Sequence, residues 1–466
     1  MRFKDLPQTF QDAVIVTRSL GYRYLWIDSL CILQDDLTDW VKESCQMRSY
    51  YKNAILSIAA DVSVGDEEGF LGHIRNNSQG LFDTKDISPC EAHINIRDLI
   101  KVPRLSGDTC LSRRAWTLQE DLLSSRTLHY TEGQIVWECQ ASKYCESDTS
   151  ELGDDDNYIF DGLKRFFLAP HLGIKHRSYS DLFDPIYRWY SIVQSYVHRG
   201  ITFESDALPA ISALAKEVQS LTRNTYAGGI WIEDFTKGVI WTSFGAAKAT
   251  QQYRAPSWSW AALKFPREDS RSSGMFYAKF LEDTNISKTR KAKLLEWHID
   301  TVDGDPFGRL KSGYLRIRGA SLPASQWQGK APPYFNQKDL VSYKSWRNEM
   351  DQPLPAQLVC CLDITPKRLF KHWSNTVKIG ASGLTKLEGE GDDYLLNSNV
   401  AQAQVLDVIL LQIATISDQH LKHVSIALML RANEDGTTYR RVGIAEVPNH
   451  EDLADVGWEI RDFTIV

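Results

Sequence analysis

Helix and strand signals alternate over the first sixty residues of this chain, and that alternation limits the fold more than any other feature. Phe10 to Leu20 repeats its apolar residues at helical spacing, and Gly21 stands where such a helix stops. The apolar run Tyr24-Leu-Trp-Ile-Asp28 predicts a short buried strand that delivers Asp28 and Ser29 at its carboxyl end. In open α/β sheets that end is where ligands sit. Asp36 or Thr38 then caps a helix running to about Tyr51, and Ala54 to Ala60 predicts a second buried strand. The expectation is an α/β amino-terminal domain.

From Asp61 to about Thr109 the chain is rich in Gly, Ser, Asn and Asp, which predicts loops with one strand at His93 to Ile96. A helical turn around Trp116 comes next. Strands over Thr127 to Thr131 and Gln134 to Glu138 follow, separated by Glu132-Gly133 as a tight turn. The acidic run Asp154-Asp155-Asp156-Asn157 reads as a solvated linker, not a metal site, and marks the first domain boundary. Residues 181 to 222 predict two helices, the first carrying Trp189, Val193 and Tyr196, the second running from Leu208 to Leu221.

Trp-containing phrases continue through Trp231 and Trp241 to Trp258-Ser-Trp260. If extended, that last phrase puts both rings on one face, where a packed sheet edge is favoured over a ligand stack. From Glu296 onward strands dominate, at Tyr314 to Gly319, Val405 to Ile416, Val424 to Leu430 and Tyr439 to Val447. The expected organisation is therefore an α/β domain over 1–150, a helical connecting region over 151–225 and a mostly β region over 226–466.

Composition narrows the function. A chain of 466 residues exceeds one small core and suits about two to three domains. Fourteen Trp spread along it suit distributed packing anchors better than a single binding cage. A net charge of −7 argues against binding nucleic acid by bulk electrostatics. The start, Met1-Arg-Phe-Lys-Asp-Leu-Pro-Gln8, is charged where a signal peptide is apolar, and no run approaches a membrane span, so a cytoplasmic protein is expected. The eight Cys, at 31, 45, 90, 110, 139, 145, 360 and 361, form no C-x-x-C pair, which predicts reduced, mostly buried thiols and no metal. There is no G-x-S-x-G elbow, Walker loop, H-E-x-x-H or dinucleotide glycine fingerprint. His129, on a predicted strand, reads as a core or surface histidine.

One phrase retains chemistry. In Arg114-Ala-Trp116-Thr-Leu-Gln-Glu120 the Trp and the Glu stand four residues apart, on one face of a helical turn. An aromatic beside a carboxylate desolvates it and raises its proton affinity, as acid/base or cation-stabilising work requires. A solvated Glu120, or one paired with Arg114 or Arg126, is the plain alternative. For Asp28 the alternative is a turn cap, and Gln34, Asp35 and Asp36 read as turn and helix-start residues.

The phrases Leu6-Pro7, Phe10-Gln-Asp-Ala13, Leu20-Gly-Tyr-Arg-Tyr-Leu-Trp-Ile-Asp28-Ser-Leu-Cys-Ile32, Gln34-Asp-Asp36, Arg114 to Glu120 and Trp137-Glu-Cys139 resemble the fungal heterokaryon incompatibility (HET) domain. Gly229-Ile-Trp231, Ala255-Pro-Ser-Trp-Ser-Trp260 and Tyr439-Arg-Arg-Val-Gly443 are similar to regions that commonly follow it. The resemblance implies nonself recognition and regulated cell death after fusion of unlike hyphae. It also implies a flavodoxin-like fold, because the domain is similar to TIR domains. Members usually carry a further strand upstream of the Leu6-Pro7 phrase, so the first strand is expected to be incomplete. Several TIR domains cleave NAD at the nicotinamide–ribose bond with a Glu four residues after a Trp. That relation implies a role for Glu120 in stabilising the cationic sugar, with Asp28, Ser29 and Trp116 lining the same cleft.

Three functions follow, in this order. The first is a signalling module acting through self-association and protein partners. The second is NAD cleavage by Glu120, with NAD as substrate and no resident cofactor. The third is small-molecule metabolism, for which no motif is present.

Overall fold

The computed structural model describes residues 2–76, 109–132, 134–140, 142–146, 164, 184–241, 247–265, 291–323, 359–362, 376–378, 408–416, 424–448 and 458–466. The chain forms two compact units, Met1–Tyr179 with Arg199–Ile201, and Ser180–His198 with Thr202–Val466. The strand expected at His93 to Ile96 and the acidic run Asp154 to Asn157 lie outside the described residues.

The first unit is mixed α/β. Its elements are α1 (Gln8–Ser19), α2 (Asp28–Cys31), α3 (Leu37–Asn53), β1 (Ser57–Ala59), α4 (Leu71–Asn76), α5 (Thr117–Leu123), β2 (Arg126–Tyr130), β3 (Ile135–Cys139) and β4 (Lys143–Cys145). The strands form one sheet in the order β1-β2-β3-β4, with β1 parallel to β2 and the other pairs antiparallel.

Local signals explain the helix ends. Gly21 takes φ +80° just past α1, and its N–H bonds back to Arg18. Asp36 caps α3 by accepting from the backbone N–H of Thr38 and Asp39, at 2.8 and 3.2 Å. Val16 of α1 packs with Phe70 and Tyr130 over Ile58 and Leu128 of the sheet. Asp12, also on α1, is buried and accepts from the N–H groups of Phe70 and Leu71, tying the start of α4 to α1.

The strand expected at Tyr24 to Asp28 does not form. Ile27 is extended, at φ −131° and ψ 124°, but residues 22–27 pair with no strand, and Asp28 is instead the first residue of α2. Tyr24 is 86% exposed. The aromatic content that suggested a sheet core packs elsewhere: the Trp26 ring lies 5.0 Å from Tyr50 and 5.8 Å from Tyr51, both on α3.

The second unit begins with α6 (Pro185–Tyr196), capped by the Asp184 side chain on the Ile186 N–H at 2.8 Å, and α7 (Ser212–Thr222). A small hairpin follows, β5 (Tyr226–Ala227) and β6 (Ile230–Trp231), then α8 (Phe235–Gly238) and a second pair, β7 (Lys248–Ala249) and β8 (Leu263–Lys264). Trp189, Trp231, Trp241, Trp258 and Trp260 are all fully buried here, so these Trp phrases are packing anchors. Trp258 and Trp260 do not share an extended face, because Ser259 caps a 3-10 turn at Trp260–Ala262 through the Ala261 N–H.

The remaining strands are β9 (Lys293–Thr301), β10 (Leu310–Pro323), β11 (Val359–Leu362), β12 (Thr376–Lys378), β13 (Val408–Ile416), β14 (Val424–Ala432), β15 (Thr438–Pro448) and β16 (Glu459–Ile465). They run in the order β12-β11-β15-β14-β13-β10-β16, with β9 added to β10. A short parallel pairing of Thr438 with Thr464 and Tyr439 with Ile465 joins β15 to β16. It closes β15-β14-β13-β10-β16 into a barrel, which leaves those strands without an open edge. Leu315, Ile317, Leu411, Ile426, Leu428 and Phe463 belong to the apolar core of this region.

Candidate functional site

Glu120 sits in the first turn of α5, which is positioned by side-chain bonds to its own approach: the Thr117 hydroxyl donates to the carbonyls of Leu111 and Arg114, at 2.5 and 2.8 Å. Residues 199–201 run beside that approach. Ala115 N–H donates to Gly200 O at 2.9 Å, Gly200 N–H donates to Arg113 O at 2.6 Å, and the Arg199 guanidinium reaches Thr117 Oγ1 at 3.3 Å. Arg114 and Arg199 are thereby held on the Glu120 side of the helix start.

Around Glu120 the fold gathers Asp28 from α2, Tyr51 from the last turn of α3, Arg114 and Arg199. Glu120 keeps partial solvent contact, yet protein surrounds its carboxyl. Burial, then the Asp28 charge, raise its pKa to about 7, against the Tyr51 hydrogen bond and the two guanidiniums, which lower it. Burial and the charge of Glu120 in turn push the Tyr51 phenol well up, so it is a standing proton donor. The cluster is a pair of carboxyl groups, of which Glu120 changes charge near neutrality, with two guanidiniums beside it.

Of the residues singled out in the sequence, Glu120 and Asp28 are brought together. Asp28 is exposed, and its Oδ1 accepts the N–H of the next residue, Ser29, at 2.8 Å. Ser29 is exposed beside it. Trp116 is half-buried and meets Trp40 edge-on at 6.2 Å. Gln34 and Asp39 brace the loop between α2 and α3, through the Ile32 carbonyl and the Leu33 N–H at 3.0 and 2.9 Å. Tyr51 and Arg199 were not singled out: each reaches Glu120 only through tertiary packing, and neither stands in a local motif.

A second polar cluster lies behind the same helix. His129 on β2 bonds Asp61 through Nδ1 at 2.7 Å and Glu138 on β3 through Nε2 at 3.3 Å. The Lys164 ammonium donates to Asp121 on α5 and Glu138, both at 3.1 Å, and to Thr127 Oγ1 at 2.9 Å. His129 and Lys164 are both buried. Burial alone pulls the imidazole pKa down, but bonds to Asp61 and Glu138 override it and raise the pKa to about 9. Of the two plain alternatives, core or surface, His129 is a core residue, and an ion-paired one.

Residues 2–120 match the family model described as heterokaryon incompatibility protein (HET). Over that span the chain is similar to the HET domain. The matched span holds Asp28, Tyr51, Arg114, Trp116 and Glu120, so it supplies every member of the Glu120 cluster except Arg199. No curated protein and no solved structure matches the chain. No helix among the described residues is long and apolar enough to cross a membrane.

Proposed function

We propose that this chain is a heterokaryon incompatibility-type protein of fungal nonself recognition and regulated cell death, acting in the cytoplasm, and that its HET domain cleaves NAD at Glu120. The observation that carries the chemical part is the convergence of Glu120 and Asp28 with Arg114 and Arg199. Two carboxylates favour a sugar that becomes cationic, and two guanidiniums favour the diphosphate of a nucleotide. Trp116 and Ser29 line the approach in this reading. The flavodoxin-like relation to TIR domains rests on the sequence resemblance, since only β1 with β2 is parallel among the three pairings of the sheet.

The bond from the ribose to the nicotinamide nitrogen breaks, and its electron pair leaves with neutral nicotinamide. The ionised Glu120 carboxylate stabilises the resulting sugar cation, which water captures at the same carbon with loss of one proton. Tyr51 holds Glu120 in one orientation throughout. The test is nicotinamide release from NAD by purified protein at high concentration, compared with folded Glu120→Gln. Release that the variant lacks is the expected result. Equal release by both, or none by the native chain, ends the enzymatic reading.

A second reading, signalling by self-association or partner contact, draws on the exposed apolar side chains of the first unit. Tyr22, Tyr24, Leu30, Leu33, Ile55 and Val64 all fall among its exposed large hydrophobics. Cell death that survives Glu120→Gln, with light scattering showing concentration-dependent assembly, would favour it.

A further inference from the structure

Asp121, His129 and Glu138 each offer one ligand atom, and these atoms lie within 4.8 Å of one another. They come from α5, β2 and β3, and register explains part of the convergence. Thr127 is paired directly with Glu138 across the sheet, and His129, two residues along β2, shares its face. Asp61 holds the far ring nitrogen of His129 at 2.7 Å, so Nε2 is the nitrogen turned toward Glu138. A carboxylate behind a histidine in this way fixes the ring and strengthens it as a ligand.

The contact between His129 and Glu138 also needs a bridging partner. A bare Nε2 lone pair 3.3 Å from the Glu138 carboxylate is repulsive, so a proton or a metal ion must stand between them. On the other side of Glu138 the chain supplies its own cation, the Lys164 ammonium, bonded at 3.1 Å to both candidate carboxylates. We propose that Asp121, His129 and Glu138 form an exchangeable site for a divalent cation of the zinc or manganese class, with Lys164 holding the cation's place when no metal is bound.

The exchange conserves charge. Asp61, Asp121 and Glu138 are three anions, offset in the metal-free state by two cations, Lys164 and the imidazolium. A divalent ion on neutral imidazole supplies the same two charges once the ammonium has swung out and the Nε2 proton has left to solvent. One nitrogen and two carboxylate oxygens suit borderline ions rather than soft ones, and water completes the coordination. This goes beyond the expectation of no metal and is independent of NAD cleavage, because α5 presents Asp121 to this cluster and Glu120 to the other.

The test titrates Zn²⁺ into chelator-treated full-length chain by calorimetry, with Co²⁺ as a spectroscopic probe. One ion per chain is expected, with a Co²⁺ spectrum of nitrogen and oxygen ligation that lacks thiolate bands. Lys164→Met removes the internal competitor and should tighten binding at least about tenfold. Glu138→Gln and His129→Gln should abolish it, and Asp61→Asn should weaken it by about 10- to 100-fold. Absence of binding in both native chain and folded Lys164→Met overturns the proposal, as does binding that survives His129→Gln or shows thiolate bands. If Lys164→Met does not fold, the native Co²⁺ spectrum and its loss in His129→Gln decide the matter.

Discussion

The Tyr51 phenol donates to the Glu120 carboxylate, tying the last turn of α3 to the first turn of α5. That bond favours ionised Glu120, while burial and the neighbouring Asp28 favour the protonated form, and the balance falls at about 7. The site therefore holds a carboxyl group that is costly to ionise, as a group poised for a developing cation should be.

The cost has a measurable sign. The folded pKa of Glu120 lies above its ordinary value, so its contribution to stability is complete below about pH 4.5 and is lost as pH rises through about 7. Glu120→Gln removes the titration. In chelator-treated protein the variant should match native stability at pH 4.5 and exceed it by about 1–3 kcal/mol at pH 8. Urea unfolding at the two pH values checks this, and a variant less stable than native at pH 8 would contradict the burial assigned to Glu120.

The same balance predicts how activity moves. If ionised Glu120 stabilises the sugar cation, nicotinamide release by metal-free protein should rise with pH through a midpoint near 7. Tyr51→Phe removes a bond that favours the ionised form, so the midpoint should move up. Asp28→Asn removes the neighbouring negative charge, so it should move down. A midpoint indifferent to both variants would mean that Glu120 is not the group being titrated.

What could be read in the sequence follows from the range of the interactions involved. The stop at Gly21, the cap at Asp36 and the hairpin of β2 and β3 depend on neighbours a few residues apart, and all stand as expected. So do β10, β13, β14 and β15, whose apolar content marks them singly. Closure of the barrel was not legible, because the joining pairs Thr438–Thr464 and Tyr439–Ile465 carry no signal in either segment. Tyr24 to Asp28 misled for the converse reason: its apolar run is as good for packing Trp26 on α3 as for a sheet. At the site, Glu120 was marked by its spacing from Trp116, whereas Tyr51 and Arg199 are brought in from 69 and 79 residues away along the chain.

In the second unit, Gly229 should tolerate no side chain. It turns the hairpin of β5 and β6 at φ +99°, and a Cβ there would stand 2.6 Å from Nε1 of Trp260. Its carbonyl also accepts two indole N–H groups, those of Trp189 and Trp260, both at 3.0 Å. Gly229→Ala combines backbone strain with displacement of a buried ring, and should destabilise the chain by about 2–4 kcal/mol. Tryptophan-detected chemical unfolding reads it directly, and a change below about 0.5 kcal/mol would mean that the hairpin relaxes freely.

Arg441 on β15 gives the last and most demanding case, because it is a buried cation that donates to two backbone carbonyls. Its guanidinium lies 3.4 Å from the ring centroid of Trp241 and donates to the carbonyls of Val239, at 2.8 Å, and of Trp241. Its backbone N–H donates to Ser257 Oγ at 2.9 Å, and Ser257 in turn donates to the Val466 carbonyl. The planar fork does three things at once: it satisfies the carbonyls that end α8 and the segment after it, covers the indole face, and ties both to the barrel strand. Arg441→Met keeps most of the apolar volume but leaves two buried carbonyls unpaired, which should cost about 2–5 kcal/mol. Arg441→Lys keeps the charge yet cannot stack and reach both carbonyls in the same geometry, so it should recover only part of the loss. Denaturant unfolding of the three proteins decides the point. Full recovery by Lys would show that charge alone suffices, and a loss below about 1 kcal/mol in Met would show that the carbonyls find water instead.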